Sequence, residues 1–258
     1  MSIRHIAKYT DLAGKTVFIT GGASGIGADI VRAFHGQSAS VFFVDLDETA
    51  GRELCRALSD ETGRAPSFEV CNVADETALQ EAIDRAVIES GRLDVVVLNA
   101  ANDTRQDATT VTGADWNASV AVNLKHQFFG ATAAFRHMKD RTGGSIITFG
   151  SVAPRVGVKD LAVYSTCKSA VQGMTRSLAR DFGPSGVRVN AIIPGAVMTE
   201  RQRRLWITDE IEQENLDAQC LKRTLVGDDI AQMALFLGSD VSWGCTSQGF
   251  IVDAGIVG

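Results

Sequence analysis

The feature that most narrows what this chain can fold into is an alternation, kept up along its length, of short apolar runs with amphipathic stretches. β-α-β units demand this pattern, because strands covered on both faces are apolar throughout while the helices between them are apolar on one side only. Residues 16–20, 40–45, 67–70, 93–98, 145–149, 187–193 and 250–252 read as strands. Residues 28–35, 49–60, 75–90, 114–139, 164–182 and 228–237 read as helices, with Asp75 capping one and Gly91 closing it. Residues 199–219 are charged and irregular in pattern. No linker, repeat or low-complexity stretch interrupts the alternation, so 1–258 is expected to be a single α/β domain.

Composition removes several functions. Lys+Arg 25 against Asp+Glu 31 gives a net charge of −6, which argues against nucleic acid or an anionic membrane as the main partner. No apolar run approaches the roughly 20 residues that a bilayer-spanning helix needs. The first fifteen residues contain no signal-peptide core, which predicts a cytoplasmic protein. Cys55, Cys71, Cys167, Cys220 and Cys245 are scattered and read as reduced, mostly buried thiols. His5, His35, His126 and His137 form no ligand cluster, so no metal is expected. A G-x-S-x-G elbow is also missing. An acid or base must then come from elsewhere, and the chain has only two tyrosines, Tyr9 and Tyr164.

Directly after the first strand comes Gly21-Gly22-Ala23-Ser24-Gly25-Ile26-Gly27. A glycine-rich strand-to-helix turn leaves backbone N–H groups bare where a pyrophosphate can sit on a helix N-terminus. Asp45 ends the second strand 18 residues after Gly27, where a carboxylate accepts bonds from both hydroxyls of an adenosine ribose and repels a 2′-phosphate. No Arg or Lys lies between Gly21 and Gly27, and Leu46 follows Asp45, so NAD is favoured over NADP.

Tyr164 and Lys168 are four apart at a helix start and so share one face. A phenol near pKa 10 is a poor base at neutral pH, and a neighbouring ammonium would lower that value. Ser151, on the loop after the fifth strand, could return to hold a substrate oxygen. All three belong at the carboxyl edge of the sheet, where open α/β folds bind ligands. Tyr9, in a polar N-terminal arm, is expected only to pack.

Taken in order, T-G-G-A-S-G-I-G at 20–27, L-N-A-A at 98–101, Asn123, G-S at 150–151, Y-S-T-C-K at 164–168 and I-P-G-A-V-M-T at 193–199 resemble the short-chain dehydrogenase/reductase family over nearly the whole length. The resemblance implies a Rossmann fold with a seven-stranded parallel sheet, helices on both faces, and usually a homotetramer. It casts Ser151 as substrate orienter, Tyr164 as acid/base, Lys168 as ribose ligand and pKa modulator, and Asn123 as anchor of a relay water. Gly21, Ser24, Gly25, Ile26, Gly27, Asp45, Leu46, Asn72, Val73, Asn99, Ala100, Ala101, Pro194, Gly195, Val197 and Thr199 would line the cofactor. Two positions depart from the family pattern. Ala101 stands where glycine is usual, which could shift local geometry, and Asn72 replaces a carboxylate near the adenine.

The polar run Asn102-Asp103-Thr104-Arg105 and a lid at about 199–220, with Gln202 in it, suit a substrate bearing several hydroxyls. Trp206 in that segment is expected to pack. F-G-S at 149–151, T-E-R-Q at 199–202, A-Q-C-L-K at 218–222 and I-V-D-A-G at 251–255 are similar to bacterial aldose 1-dehydrogenases of this family, NAD-dependent D-xylose dehydrogenases among them. The implied reaction oxidises an anomeric hydroxyl to an aldonolactone, with Asn102, Asp103, Ser151, Tyr164 and Gln202 around the sugar. Two alternatives stay open: another polar alcohol or ketone, such as a sugar acid, polyol or 3-oxoacyl derivative, or a non-enzymatic NAD sensor. An acidic substrate would require Arg105, Arg155 or Arg201 to point inward.

Overall fold

A computed structural model describes residues 7–141 and 143–257; His5 and the rest of the opening six residues lie outside the described residues. Seven parallel strands form one sheet in the order β3-β2-β1-β4-β5-β6-β7. They are β1 Thr16–Thr20, β2 Ser40–Asp45, β3 Ser67–Val70, β4 Val95–Leu98, β5 Gly144–Phe149, β6 Val187–Pro194 and β7 Gly249–Val252. The helices are α1 Gly25–Gly36, α2 Glu48–Thr62, α3 Glu76–Ser90, α4 Gly113–Val120, α5 His126–Met138, α6 Ala153–Val156, α7 Ala162–Phe182, α8 Glu200–Leu205, α9 Asp209–Ala218 and α10 Gly227–Gly238. The fold is the single-domain, doubly wound α/β arrangement that the alternation predicts.

Two cores sandwich the sheet. On one face Ile30, Val31 and Phe34 of α1, Leu54 and Leu58 of α2 and Ile230 and Leu235 of α10 pack on Val17, Ile19 and Val95. On the other, Leu79 and Ile83 of α3, Ala134 and Met138 of α5 and Leu178 and Phe182 of α7 pack on Phe18, Val96 and Ile146. Alternate residues of β1 thus enter opposite cores, as a strand period of two requires. Tyr9 packs against the first core. Among the described residues no helix is long and apolar enough to cross a membrane.

Chain order reverses between β1 and β4, whose residues pair from Val17↔Val95 to Thr20↔Leu98. Their carboxyl ends therefore open on the crevice that this topology reserves for ligands.

Two stretches, and the burial of the thiols, differ from the sequence expectation. The helix expected over 114–139 contains one π turn, Ala121–Lys125, between α4 and α5. The π turn runs into the flanking helices with no side-chain cap at either junction, so no start or stop signal marks it. The irregular stretch 199–219 holds two helices, capped by Thr199, whose hydroxyl accepts from Gln202 N at 3.2 Å, and by Thr208, which accepts from Ile211 N at 3.4 Å. Neither helix has a buried residue, so neither carries the apolar stripe that makes a helix visible in sequence. Only Cys71 and Cys167 of the thiols are buried; Cys55 and Cys245 are half-buried and Cys220 is exposed, because 220 lies at the surface beyond α9.

Candidate active site

The glycine turn is shaped by contact. Gly21 and Gly25 take φ of 66° and 53°, where a side chain is strained. A Cβ on Gly27 would lie 1.8 Å from the Gly21 carbonyl oxygen, and one on Gly21 would lie 2.8 Å from Ala100 Cα. The turn is thus pressed onto the end of β4. Asn99 reinforces it, its Nδ2 donating to Gly21 O at 3.0 Å, and Ala100 N donates to Thr20 Oγ1 at 3.1 Å.

Helices α2, α3 and α4 begin with side-chain caps from Asp47, Asp75 and Thr112. Helix α1 differs: Ser24 makes no side-chain cap bond, and the first turn, which includes Ile26, has no acidic residue. Its leading N–H groups and positive helix end are free of an internal side-chain anion. A cradle of glycines under a helix end with no side-chain cap fits the pyrophosphate of a dinucleotide.

Around this cradle stand the other residues expected for a cofactor. Asp45 is half-buried at the end of β2, and its carboxylate accepts from Ala23 N at 2.9 Å, Leu46 N at 2.7 Å and Asp47 N at 3.2 Å. Those bonds fix its orientation beside the turn. Leu46 is exposed. After β3, Val73 is buried and Asn72 is exposed with its Oδ1 accepting from Ala74 N at 3.1 Å. Ala101 is exposed and is not among the residues of positive φ, so alanine costs no backbone strain there. Pro194 ends β6, and the next residue, Gly195, packs so tightly on Asp253 that a Cβ would meet its Cα at 2.7 Å. Val197 is buried and bridges Leu225. Thr199 Cγ2 would touch a Gly25 Cβ at 3.3 Å, so the start of α8 closes over the glycine turn.

The structure brings Ser151, Tyr164 and Lys168 together. Ser151 Oγ accepts from Ala153 N at 3.0 Å and shares a hydrogen bond with the Tyr164 hydroxyl. Lys168 is 1% exposed, and its Nζ lies 5.6 Å from the centre of the Tyr164 ring. The ammonium donates to Phe149 O at 2.9 Å rather than to the phenol. Burial dominates both groups. It pushes Tyr164 up to about 12, against the Ser151 bond, and brings Lys168 down to about 8. The expected lowering of the phenol by Lys168 is therefore not what this arrangement yields, since burial outweighs a cation whose hydrogen bond goes elsewhere.

Asn123 is fully buried inside the π turn. Its side chain pairs with the backbone of Asn102, accepting from the N–H and donating to the carbonyl, both at 2.9 Å. Asn123 thereby holds the loop that follows β4. From that loop Asp103 meets α8: it pairs with Arg201 and accepts from Gln202 Nε2 at 2.6 Å. Burial would raise the Asp103 carboxyl, but the Arg201 and Gln202 bonds outweigh it and hold it below the usual carboxylate range. Asp103 and Arg201 are near enough to Tyr164 to act on its titration in opposite directions. A cavity of about 220 Å³ borders Asn102 and Tyr164, lined also by Thr104, Gln106, Ser119 and Asp160.

The three arginines that could meet an acidic substrate differ in setting: among the described residues only Arg201 is ion-paired, Arg155 is exposed, and the buried Arg105 Nε has no hydrogen-bond partner. Arg201 is paired with Asp103, Arg155 reaches Gln172 at 3.5 Å, and Arg105 lies 4.8 Å over the Trp206 ring. Trp206 packs, as expected. Sequence reasoning missed two neighbours of the site, Arg201 as the partner of Asp103 and Gln127 beneath Lys168. A glutamine within the apolar side of a helix is the signal that could have found Gln127.

The family model described as enoyl-(acyl carrier protein) reductase matches residues 21–257. A Rhizobium meliloti protein named "Probable galactose dehydrogenase GalD" is 44% identical over 97% of this chain and 98% of its own. A D-xylose 1-dehydrogenase of Caulobacter vibrioides is 43% identical over 96% and 98%. Among solved structures, a blue fluorescent protein from a metagenomic library, in complex with NADPH, superposes with a TM-score of 0.87 at 30% identity, covering 96% of this chain and 100% of that one. The match spans the glycine turn, the Ser-Tyr-Lys constellation and the last strand alike, and the chain belongs to the short-chain dehydrogenase/reductase family of oxidoreductases.

Proposed function

We infer that the protein is an NAD-dependent dehydrogenase that oxidises the anomeric hydroxyl of an aldose to its aldonolactone. The observation that carries this reading is the polar wall formed where Asp103 meets Gln202 and Arg201 beside Tyr164. Such a wall offers both donors and acceptors to hydroxyl groups and little to an acyl chain or a sterol. The two sugar dehydrogenases at 43–44% identity support the same class. Since their names give different sugars, they leave the preferred one to experiment.

In this reading Ser151 holds the anomeric oxygen and Tyr164 takes its proton. Lys168 and Tyr164 hold the nicotinamide ribose, and Val197 and Thr199 hold the carboxamide. When bound, NAD supplies the acceptor for the hydride that leaves the anomeric carbon. Asn123 fixes the loop bearing Asn102 and Asp103, and the 199–220 segment serves as lid, which keeps the sugar at reacting distance and sheds water. A panel of pentoses and hexoses with NAD, followed by NADH absorbance, should show turnover on at least one. No turnover on any aldose would reject the sugar assignment.

The family binds a nicotinamide dinucleotide, and Asp45 favours the form without a 2′-phosphate. Asp47 and Glu48 add negative charge to the same corner, and the nearby Arg52 is bonded to Glu48 at 2.7 Å. Asp45→Ala should weaken NAD roughly tenfold and bring NADP into use, a shift of about 1.4 kcal/mol in discrimination. Equal preference before and after substitution, measured as the ratio of kcat/KM values, would refute the role. We carry over from the family resemblance a cytoplasmic homotetramer; the exposed Trp116 and Phe128 on α4 and α5 are compatible with self-association.

A further inference from the structure

We propose that Gln127 is a positioning residue for the Tyr164–Lys168 pair, acting through the Phe149 carbonyl. It rests on the reading of Lys168 as the partner of Tyr164. Gln127 lies in the first turn of α5 and is fully buried. Both ends of its amide are committed. Oε1 accepts from Phe149 N at 2.8 Å, and Nε2 donates to Phe149 O at 3.2 Å and to Asn123 O at 3.0 Å. Lys168 Nζ donates to that same Phe149 oxygen at 2.9 Å. Phe149 ends β5 two residues before Ser151, and Asn123 sits in the π turn. One side chain therefore touches the backbone of two segments that carry site residues and shares an acceptor with a third.

A buried amide requires such a full set of partners, because each unmet polar atom costs free energy that an apolar side chain would avoid. Its placement has an electrical consequence. The positive end of the amide dipole and the ammonium converge on one carbonyl. Gln127 thus competes with Lys168 for the oxygen and opposes its charge at close range.

The surroundings do little to screen this. His126, the neighbouring residue, is 1% exposed. Burial, with the Lys168 charge adding to it, pushes that imidazole down to about 3, so it is neutral at working pH. Cys167 and Asp103 are the other groups acting on Lys168, and both favour its charged form. In so dry a site a single fixed dipole has a large effect.

The test follows Lys168 directly. Protein labelled with [ε-13C]lysine is titrated by NMR, with the Lys168 signal assigned from Lys168→Met. Gln127→Met removes the competing donor, and Gln127→Glu keeps the acceptor for Phe149 N while adding a negative charge. The midpoint should rise in both, by about half a unit in Gln127→Met and a unit or more in Gln127→Glu, with the pH profile of kcat following the same order. An unchanged midpoint in either folded variant, or a fall in both, overturns the proposal. If Gln127→Met does not fold, the near-isosteric Gln127→Glu decides alone. A merely structural glutamine would lower stability without moving the midpoint. Since the NMR readout needs no turnover, it is independent of the aldose panel, whose failure alone would reject the sugar reading.

Discussion

Tyr164→Phe lowers kcat on the preferred substrate by about 10²–10⁴-fold, the usual contribution of a positioned acid or base, and leaves NADH affinity within a few-fold of the parent. The substitution removes one oxygen, the atom that shares a hydrogen bond with Ser151, and keeps the ring near which Lys168 lies. Cofactor binding, read by the fluorescence of bound NADH, therefore survives while proton transfer does not. The pH dependence adds a second signature. Burial holds the phenol at about 12 in the protein alone, so turnover in the oxidative direction should climb with pH as the proton leaves. That climb should vanish from the residual activity of the variant. Near-normal turnover in Tyr164→Phe, or an unaltered pH profile, would remove Tyr164 from the chemistry.

Gly27→Ala should be almost as damaging, by a different route. Its Cβ would lie 1.8 Å from Gly21 O and 2.8 Å from Asn99 Nδ2, both well inside van der Waals contact, and the first is backbone that cannot swing aside. The turn must open, which breaks the bonds by which Asn99 holds Gly21 and Thr20. NADH affinity should fall at least 100-fold, and overpacking of this kind costs about 1–3 kcal/mol of stability. Gly36→Ala is the control. It lies at the end of the same helix with nothing within 4 Å of the added methyl, and should leave binding unchanged with stability equal or slightly higher. If calorimetric NADH titration gave equal affinities for the two variants, the close-packed glycine turn would have no part in holding the cofactor.

Much of the site was legible in the chain because its residues are tied to element ends. A strand that stops at Thr20, a glycine turn, a strand that stops at Asp45 and a helix that carries Tyr164 four residues before Lys168 each follow from local pattern. The parallel sheet then gathers those ends along one edge. The segment 199–220 was less legible. Helices α8 and α9 bury no residue fully, so their sequence records caps and charges but no stripe. The π turn was invisible for another reason, since it joins α4 and α5 without a side-chain cap that would mark a boundary.

The sequence by itself determined the alternating α/β architecture, the glycine turn and the candidate Ser-Tyr-Lys set, because each depends on spacing within one or two adjacent elements. Only the tertiary structure decided how those groups are poised. Asp103 and Arg201 are nearly a hundred residues apart, and so the pairing that holds α8 against the loop after β4 appears in no local window. Lys168 gives its proton donor to Phe149 O, Gln127 shares that oxygen, and burial outweighs the cation in setting the phenol. Hydrogen-bond direction and desolvation depend on what surrounds a group in three dimensions, and a one-dimensional pattern carries neither.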